Sequence, residues 1–258
     1  MKIVVLIKQV PDTYEDRKLN TTTGILERDA SEKIIDDVTE RALEVALTHK
    51  DSDKSTEVVA LSMGPASVTD SLRKALASGA DSAVHVLDEA LDGSDAGWTA
   101  SVLATALKRT GFDLIVAGNE STDGRGGVVP AMIAEHLGLA HLSYLNSVEL
   151  TDSTASGVRA GEDGTSTVHV ELPAVLSVTD RLPEPRFPNF KGIMGAKKKP
   201  LERITVSDLE LDPAFPGLAR SVVLSTAVRP ARTSGTKVVD EGNAGVELAD
   251  FLVAQRLI

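Results

Sequence analysis

Four short apolar stretches, each handing over to a segment of helical periodicity, restrict the folds open to this chain. Residues 2–7, 57–62, 82–87 and 113–117 are built mostly from Val, Ile, Leu and Ala, with Asp, Glu or Lys only at first positions and His85 as the one ionisable residue inside a run. Runs of this length with no polar face read as strands buried on both sides, as in a parallel sheet covered by helices. The helices between them are marked by their ends. Asp36 and Asp37 offer N-cap carboxylates to a helix over 38–50, in which Val38, Ala42, Val45 and Ala46 share one face. Ser67 and Asp70 have capping-box spacing for a helix through Ser78, and Gly79 stands where a closing glycine belongs. Ser94 or Asp95 caps a third helix, which runs to Thr110 and closes at Gly111; a fourth covers 128–137. Strands spaced by helices of this length form right-handed parallel βαβ units. The sequence therefore predicts an α/β fold: a doubly wound, mostly parallel, Rossmann-like sheet with helices on both faces.

The rhythm changes after residue 146. Residues 147–150, 157–159 and 165–172 are strand-like and close together, and Glu162-Asp163-Gly164 marks a hairpin turn, so a β-hairpin insertion is expected. A further strand covers 174–179, and an Arg/Pro-rich loop follows through 186–194 to Lys197, Lys198 and Lys199. Beyond 206 no βαβ pattern remains: Pro213 and Pro216 interrupt the chain, 228–239 is basic and turn-rich, and only 245–257 looks helical. This divides the chain into an α/β domain over 1–205, with the loop 184–199, and an extended arm over 206–258. The arm has no core of its own, yet carries Val222, Val223, Leu224, Val238, Val239, Phe251 and Leu252. That pattern suits a segment laid across a partner.

Composition removes several function classes. The 258 residues are 42% hydrophobic but only 3% aromatic, with a net charge of −11. Nucleic acid is a poor partner for a chain with neither a basic surplus nor base-stacking aromatics. With no cysteine there is no disulfide or thiolate chemistry, and the five His residues lack metal-ligand spacing. The apolar start is too short for a secretory h-region and no run approaches a bilayer span, so the chain reads as cytoplasmic and not itself a membrane protein.

The segment from Gly118 through Asn119, Glu120, Ser121, Thr122, Asp123, Gly124, Arg125, Gly126, Gly127, Val128 and Val129 leaves a strand and enters a helix. Open α/β sheets bind ligands at such places. Gly124, Gly126 and Gly127 let backbone approach an anion, the free N–H groups of the helix start suit a phosphate, and Arg125 adds a charge. The loop is neither a G-K-[ST] phosphate loop nor G-x-G-x-x-G, and on its residues alone it reads equally as a glycine-rich turn with no ligand. No catalytic constellation accompanies it. Ser62, Ser121 and Ser143 are not in nucleophile elbows, Asp36, Asp37 and Asp123 are as well explained by capping and solvation, and Trp98, His85 and His169 read as structural.

Several stretches in order resemble the electron transfer flavoprotein β subunit. They are Ile3 to Asp12 with Lys8-Gln9-Val10-Pro11; Leu61-Ser62-Met63-Gly64-Pro65-Ala66; Arg73 to Asp81; Val158-Arg159 with Glu162-Asp163-Gly164 and Leu172-Pro173-Ala174-Val175; Glu184-Pro185-Arg186; Ile193 to Lys199; and Pro230 to Val238. The resemblance implies an electron-carrier subunit with no catalytic residues of its own, partnered by an α subunit that holds a redox-active FAD. It implies a structural AMP in this chain, contacted by Leu6, Asp36, Asp37, Val38, Thr39, Met63 and the loop Gly118 to Val129. It also implies transfer from dehydrogenases, including the acyl-CoA dehydrogenases of fatty acid oxidation, to a quinone oxidoreductase. Residues 186–196 would be the segment that docks on the dehydrogenase, with Phe190 or Ile193 as apolar anchor and Arg186 in a charged rim; alternatively Phe190 packs into the body. Where relatives carry a second acidic residue, Gln and Gly, this chain has Arg125, Val128 and Pro130, and Thr167 stands where Glu or Gln is common. Electron-bifurcating relatives with a second flavin keep the acidic and Gln positions, so AMP is the expected ligand. The alternatives are a flavin-binding bifurcating subunit and a free-standing adenine-nucleotide regulator.

Overall fold

A computed structural model describes residues 1–211, 221–232, 234, 235 and 237–258. Pro213, Pro216, Thr233 and Thr236, which the sequence reading used, lie outside the described residues. The contacts divide the chain into two units, Met1–Ser225 and Thr226–Ile258. In the first unit the elements follow as β1 (Lys2–Leu6), β2 (Gln9–Pro11), β3 (Lys33–Ile35), α1 (Asp37–Ser52), β4 (Glu57–Met63), α2 (Val68–Ser78), β5 (Ser82–Val86), α3 (Ala96–Thr110) and β6 (Leu114–Gly118). They continue as α4 (Val129–Leu137), β7 (Ala140–Leu150), β8 (Thr154–Gly161), β9 (Gly164–Glu171), β10 (Ala174–Val178), α5 (Phe190–Ala196) and β11 (Leu201–Ile204). The second unit holds α6 (Ala244–Ala254), on which Val246, Leu248, Phe251 and Val253 are exposed.

Nine strands form one sheet in the order β11-β5-β4-β1-β6-β10-β7-β8-β9. It is parallel from β11 to β7 and antiparallel across β7-β8-β9. Alternation in the central strands feeds two cores. Ile3 and Val5 of β1 pack with Leu43 and Leu47 of α1 and Leu72 and Leu76 of α2, whereas Val4 and Leu6 pack with Leu103 and Leu107 of α3 and Ile133 of α4. A strand buried on both faces can afford no polar alternation, which is why these runs are continuously apolar. Doubly wound α/β architecture is thus what the structure shows.

Several local expectations change. Asp36 caps α1, accepting from Val38 N at 3.1 Å, while Asp37 is the first helical residue and lies on the surface with Arg41. Asp95, not Ser94, caps α3, accepting from Trp98 N at 2.8 Å. Ser67 makes no capping bond: its backbone is already helical (φ −60°, ψ −23°), and its hydroxyl donates to Gln9 Oε1 at 2.8 Å instead. The hairpin turns at Gly161 and Gly164 as expected. However, the strand expected at 147–150 is the end of the longer β7, which pairs with β10 before it switches to β8. His169 lies on an exposed face of β9, while His85 is fully buried with Nε2 3.0 Å from the Gly64 carbonyl. The Arg/Pro-rich loop contains a helix, α5, and residues 206–211 belong to the main body, where Leu209 is buried beside Val206 and Leu211. No helix among the described residues is long and apolar enough to cross a membrane.

Candidate functional site

The chain runs from β1 outward through β4 and β5 to one side, then returns to lay β6 on the other side of β1. Adjacent loops therefore leave the carboxyl ends of β1 and β6 in opposite directions and open a crevice between them, the usual ligand position in such sheets. Leu6 ends β1 with its side chain buried in the core, and Lys8 stands two residues beyond it. Gly118 ends β6. A Cβ there would lie 3.1 Å from Val38 Cγ1 and 3.4 Å from Thr39 Cγ2, so glycine lets the start of α1 rest on the strand end. Asn119 is buried, its N–H donating to the Val178 carbonyl at 2.8 Å. Met63 is half-buried at the end of β4.

The loop after β6 is locked by groups far away in sequence. Asp36 is fully buried and does two jobs: while Oδ1 caps α1, Oδ2 accepts from both Thr122 N and Thr122 Oγ1, each at 2.7 Å. Asp123 is the second lock, with a side chain 1% exposed. Its Oδ1 accepts from Lys8 Nζ at 2.8 Å and from Gly124 N at 2.7 Å, and Arg28 Nη1 approaches Oδ2 to 2.8 Å as an ionic contact. Burial works to raise the Asp123 carboxyl, but hydrogen bonds and charge from Lys8, then Ser121 and Arg28, outweigh it and hold the group well below the ordinary carboxylate range. Lys8 also donates to Ser121 Oγ at 2.8 Å, and Arg17 donates to the Thr122 carbonyl and, at 3.1 Å, to Thr122 Oγ1.

Beyond this locked half the loop is open. Arg125 is exposed with φ +48°, and Gly127 has φ +64°. A Cβ at Gly127 would lie 2.7 Å from Tyr144 Oη, whereas one at Gly126 would meet nothing within 4 Å. Gly127 is thus the position whose conformation requires glycine, and Gly126 faces free space. Val128, at the N-cap of α4, supplies no side-chain cap, and Val129 and Pro130 open the helix. Glu120 lies near Gly127, its Oε2 3.9 Å from where that Cβ would be. Tyr144 is half-exposed and itself left-handed (φ +56°), beside the irregularity in the β7–β10 pairing; such bulges re-aim side chains.

The segment expected to dock is built differently from a loop. Asn189 caps α5, accepting from Gly192 N at 2.8 Å, and the helix lies on α2. Phe187 and Phe190 are 95% and 79% exposed, and Ile193 and Met194 are exposed beside them. Phe190 therefore does not pack into the body. The Arg186 guanidinium, expected in a charged rim, pairs with Glu44 and Asp51 of α1 at 2.7 and 2.8 Å.

The electron transfer flavoprotein domain family matches residues 23–209. An electron transfer flavoprotein subunit beta of Mycobacterium tuberculosis is 45% identical, with 99% of each chain covered, and that of Mycobacterium leprae is 44% identical over the same shares. This chain belongs to the electron transfer flavoprotein β-subunit family. A more distant relative, the caffeyl-CoA reductase-Etf complex subunit CarD of Acetobacterium woodii, is 34% identical over 99% of this chain and 97% of its own. As a β subunit of an electron transfer flavoprotein, the chain has an electron-transfer role in a flavoprotein complex and works with an α subunit.

For this β subunit, sequence reasoning named the loop and Asp36 but missed what holds them. Lys8 stands two residues past the end of the first strand, so its place at the crevice mouth was signalled by chain order. Arg17 lies in an irregular stretch, Arg28 opens a single 3-10 turn over Arg28–Ala30 with no side-chain cap, and Tyr144 is aimed only by a strand irregularity. Asp37, also among the expected contact residues, is exposed and pairs with Arg41.

Proposed function

We propose that this β subunit holds a structural adenosine monophosphate in the crevice between β1 and β6 and presents α5 to electron-donating dehydrogenases. In this reading electrons pass by way of the complex's FAD to a quinone oxidoreductase. The observation that carries the nucleotide assignment is the reversal of strand order between β1 and β6, with the loop after β6 locked in its first half and exposed in its second. Its parts fit a phosphate. The first turn of α4 has no capping side chain, so its N–H groups and positive dipole end are free for an anion. Gly126 faces open space, and Arg125 makes no ion pair among the described residues. Lys8 and Arg28 share the single carboxylate of Asp123, which leaves that cluster with a surplus positive charge; this surplus, the backbone N–H groups and Arg125 are what this chain offers the phosphate. Val128 places an apolar side chain at the loop's end, where a polar contact to a larger ligand would be needed.

The FAD, when bound, supplies the redox chemistry. This chain's own part is to shape and exclude: Asp36, Thr122 and Asp123 hold the nucleotide loop in place before a ligand arrives, so little ordering remains to be done on binding. The described residues of 221–232 and of α6 expose Val222, Val223, Leu224 and Phe251, which supports the C-terminal arm as the part that packs on the α subunit. At the other surface Phe190, exposed and held on a helix, is the apolar anchor in this reading, with Ile193 beside it.

Acid release of nucleotide from the purified heterodimer tests the assignment. One AMP and one FAD per complex are expected; a second flavin in the visible spectrum would instead favour the bifurcating reading. Phe190→Ala should raise the KM for the complex in dehydrogenase-dependent reduction, with flavin content unchanged. Unaltered kinetics would remove Phe190 from that role.

A further inference from the structure

We propose that Arg186 is a positioning residue that fixes the approach to α5 by clamping it to α1, and that it never meets the dehydrogenase. The proposal rests on the docking reading above. It starts from a mechanical problem: Phe187, Phe190, Ile193 and Met194 are all exposed, so packing does not determine where they point. Only the backbone beneath them does. That backbone is pinned at both ends and at its middle. At the far end Arg73 of α2 donates to the carbonyls of Ala196 and Lys199 at 2.8 and 2.9 Å, and Lys199 Nζ donates back to the Leu76 carbonyl at 2.9 Å. In the middle, a Cβ at Gly192 would collide with the Ala77 carbonyl oxygen, so α5 lies directly on α2.

The near end is pinned by Arg186 alone among these charged groups. Its Nε lies 3.0 and 2.9 Å from the two Glu44 oxygens, Nη2 lies 2.7 Å from Oε1, and its backbone N donates to Oε2 at 3.0 Å. Nη1 reaches Asp51 Oδ2 at 2.8 Å. Glu44 and Asp51 lie seven residues apart, two turns of one helix, so the guanidinium spans them as a brace along α1. Burial works to raise the Glu44 carboxyl, yet the Arg186 contacts leave it lowered, and Arg186 is itself held more firmly charged. Arg41, on the same helix, donates to the Leu182 carbonyl and stitches the preceding turn. Every nitrogen of Arg186 is turned toward this chain. A planar fork can satisfy two carboxylates and a backbone path at once; a lysine ammonium, a point charge on a flexible stem, does not reproduce that geometry.

Holding two exposed aromatic side chains before contact removes ordering that would otherwise oppose docking. The test uses the flavin-loaded heterodimer and a dehydrogenase that reduces the wild type, with Arg186→Lys, Glu44→Ala and Phe190→Ala compared over a range of ionic strength. Arg186→Lys and Glu44→Ala are each expected to raise the KM for the complex on the order of tenfold, with kcat at saturation retained. Their salt dependence should run parallel to wild type, because neither residue contributes charge to the encounter. An unchanged KM in both variants, while Phe190→Ala raises it, overturns the proposal and leaves the docking reading standing. A flattened salt dependence in Arg186→Lys, with Glu44→Ala at wild-type level, overturns it as well, because Arg186 would then be touching the dehydrogenase. If Phe190→Ala has no effect, the docking reading falls and takes this proposal with it.

Discussion

Replacing Asp36 with asparagine separates the two jobs of one carboxylate. Oδ1 caps α1 through Val38 N, and asparagine is as good a cap as aspartate, so that bond is expected to survive. Oδ2 accepts from Thr122 N and Oγ1, both at 2.7 Å, in a fully buried setting. In Asp36→Asn the amide NH2 faces the Thr122 N–H, donor to donor. The hydroxyl can rotate to accept; the backbone N–H cannot. The loss is one hydrogen bond to a charged acceptor, roughly 1.5–3 kcal/mol, concentrated on the nucleotide loop and not spread over the fold. Asp36→Ala loses the cap too and should be about 1 kcal/mol worse. Amide hydrogen exchange in the intact heterodimer reads this directly: the Thr122 amide should exchange about ten- to a hundredfold faster in Asp36→Asn. Amides of the first turn of α1 should change only in Asp36→Ala. Equal protection of Thr122 in wild type and Asp36→Asn would refute the idea that this carboxylate locks the loop.

The glycines of the loop should differ sharply. Gly127→Ala puts a side chain at φ +64° and against Tyr144 Oη, with an expected loss of about 1–2 kcal/mol from the left-handed backbone before any clash. Gly126→Ala should be near neutral in stability, and equal thermal midpoints for the two variants would contradict the geometry. Trimming the hydroxyl as Tyr144→Phe in the Gly127→Ala background should recover part of the loss. The Asp123 carboxyl has its pKa depressed by folding, so its stabilisation is present above the unfolded value of about 4 and disappears as pH falls through the folded one. The gap in urea midpoint between wild type and Asp123→Asn should accordingly be constant near neutrality and close in acid; a gap that stays level down to about pH 3 would argue against the pairing with Lys8 and Arg28.

Much of the frame was legible because it is local. Buried parallel strands need unbroken apolar runs, and β1, β4, β5 and β6 each came within a residue or so of the sequence expectation. Gly79 and Gly111 close helices where their neighbours alone place them. The elements that escaped have weak local signals. Strand β11, Leu-Glu-Arg-Ile at the sheet edge, carries two charged residues that only an edge position tolerates. Helix α5 contains two glycines in seven residues and forms because α2 lies beneath it.

The sequence by itself determined the βαβ order, the glycine-rich loop after the fourth long strand and the family to which these motifs belong. Tertiary structure alone decided what the charged groups do. Asp36 bonds across 86 residues to Thr122, Lys8 across 115 to Asp123, and Glu44 across 142 to Arg186. A carboxylate or guanidinium has the same local signature whether it is solvated, caps a helix or ties two loops together. Only the fold, by bringing strand ends side by side and removing water from between them, makes Asp123 a lock and turns Arg186 inward.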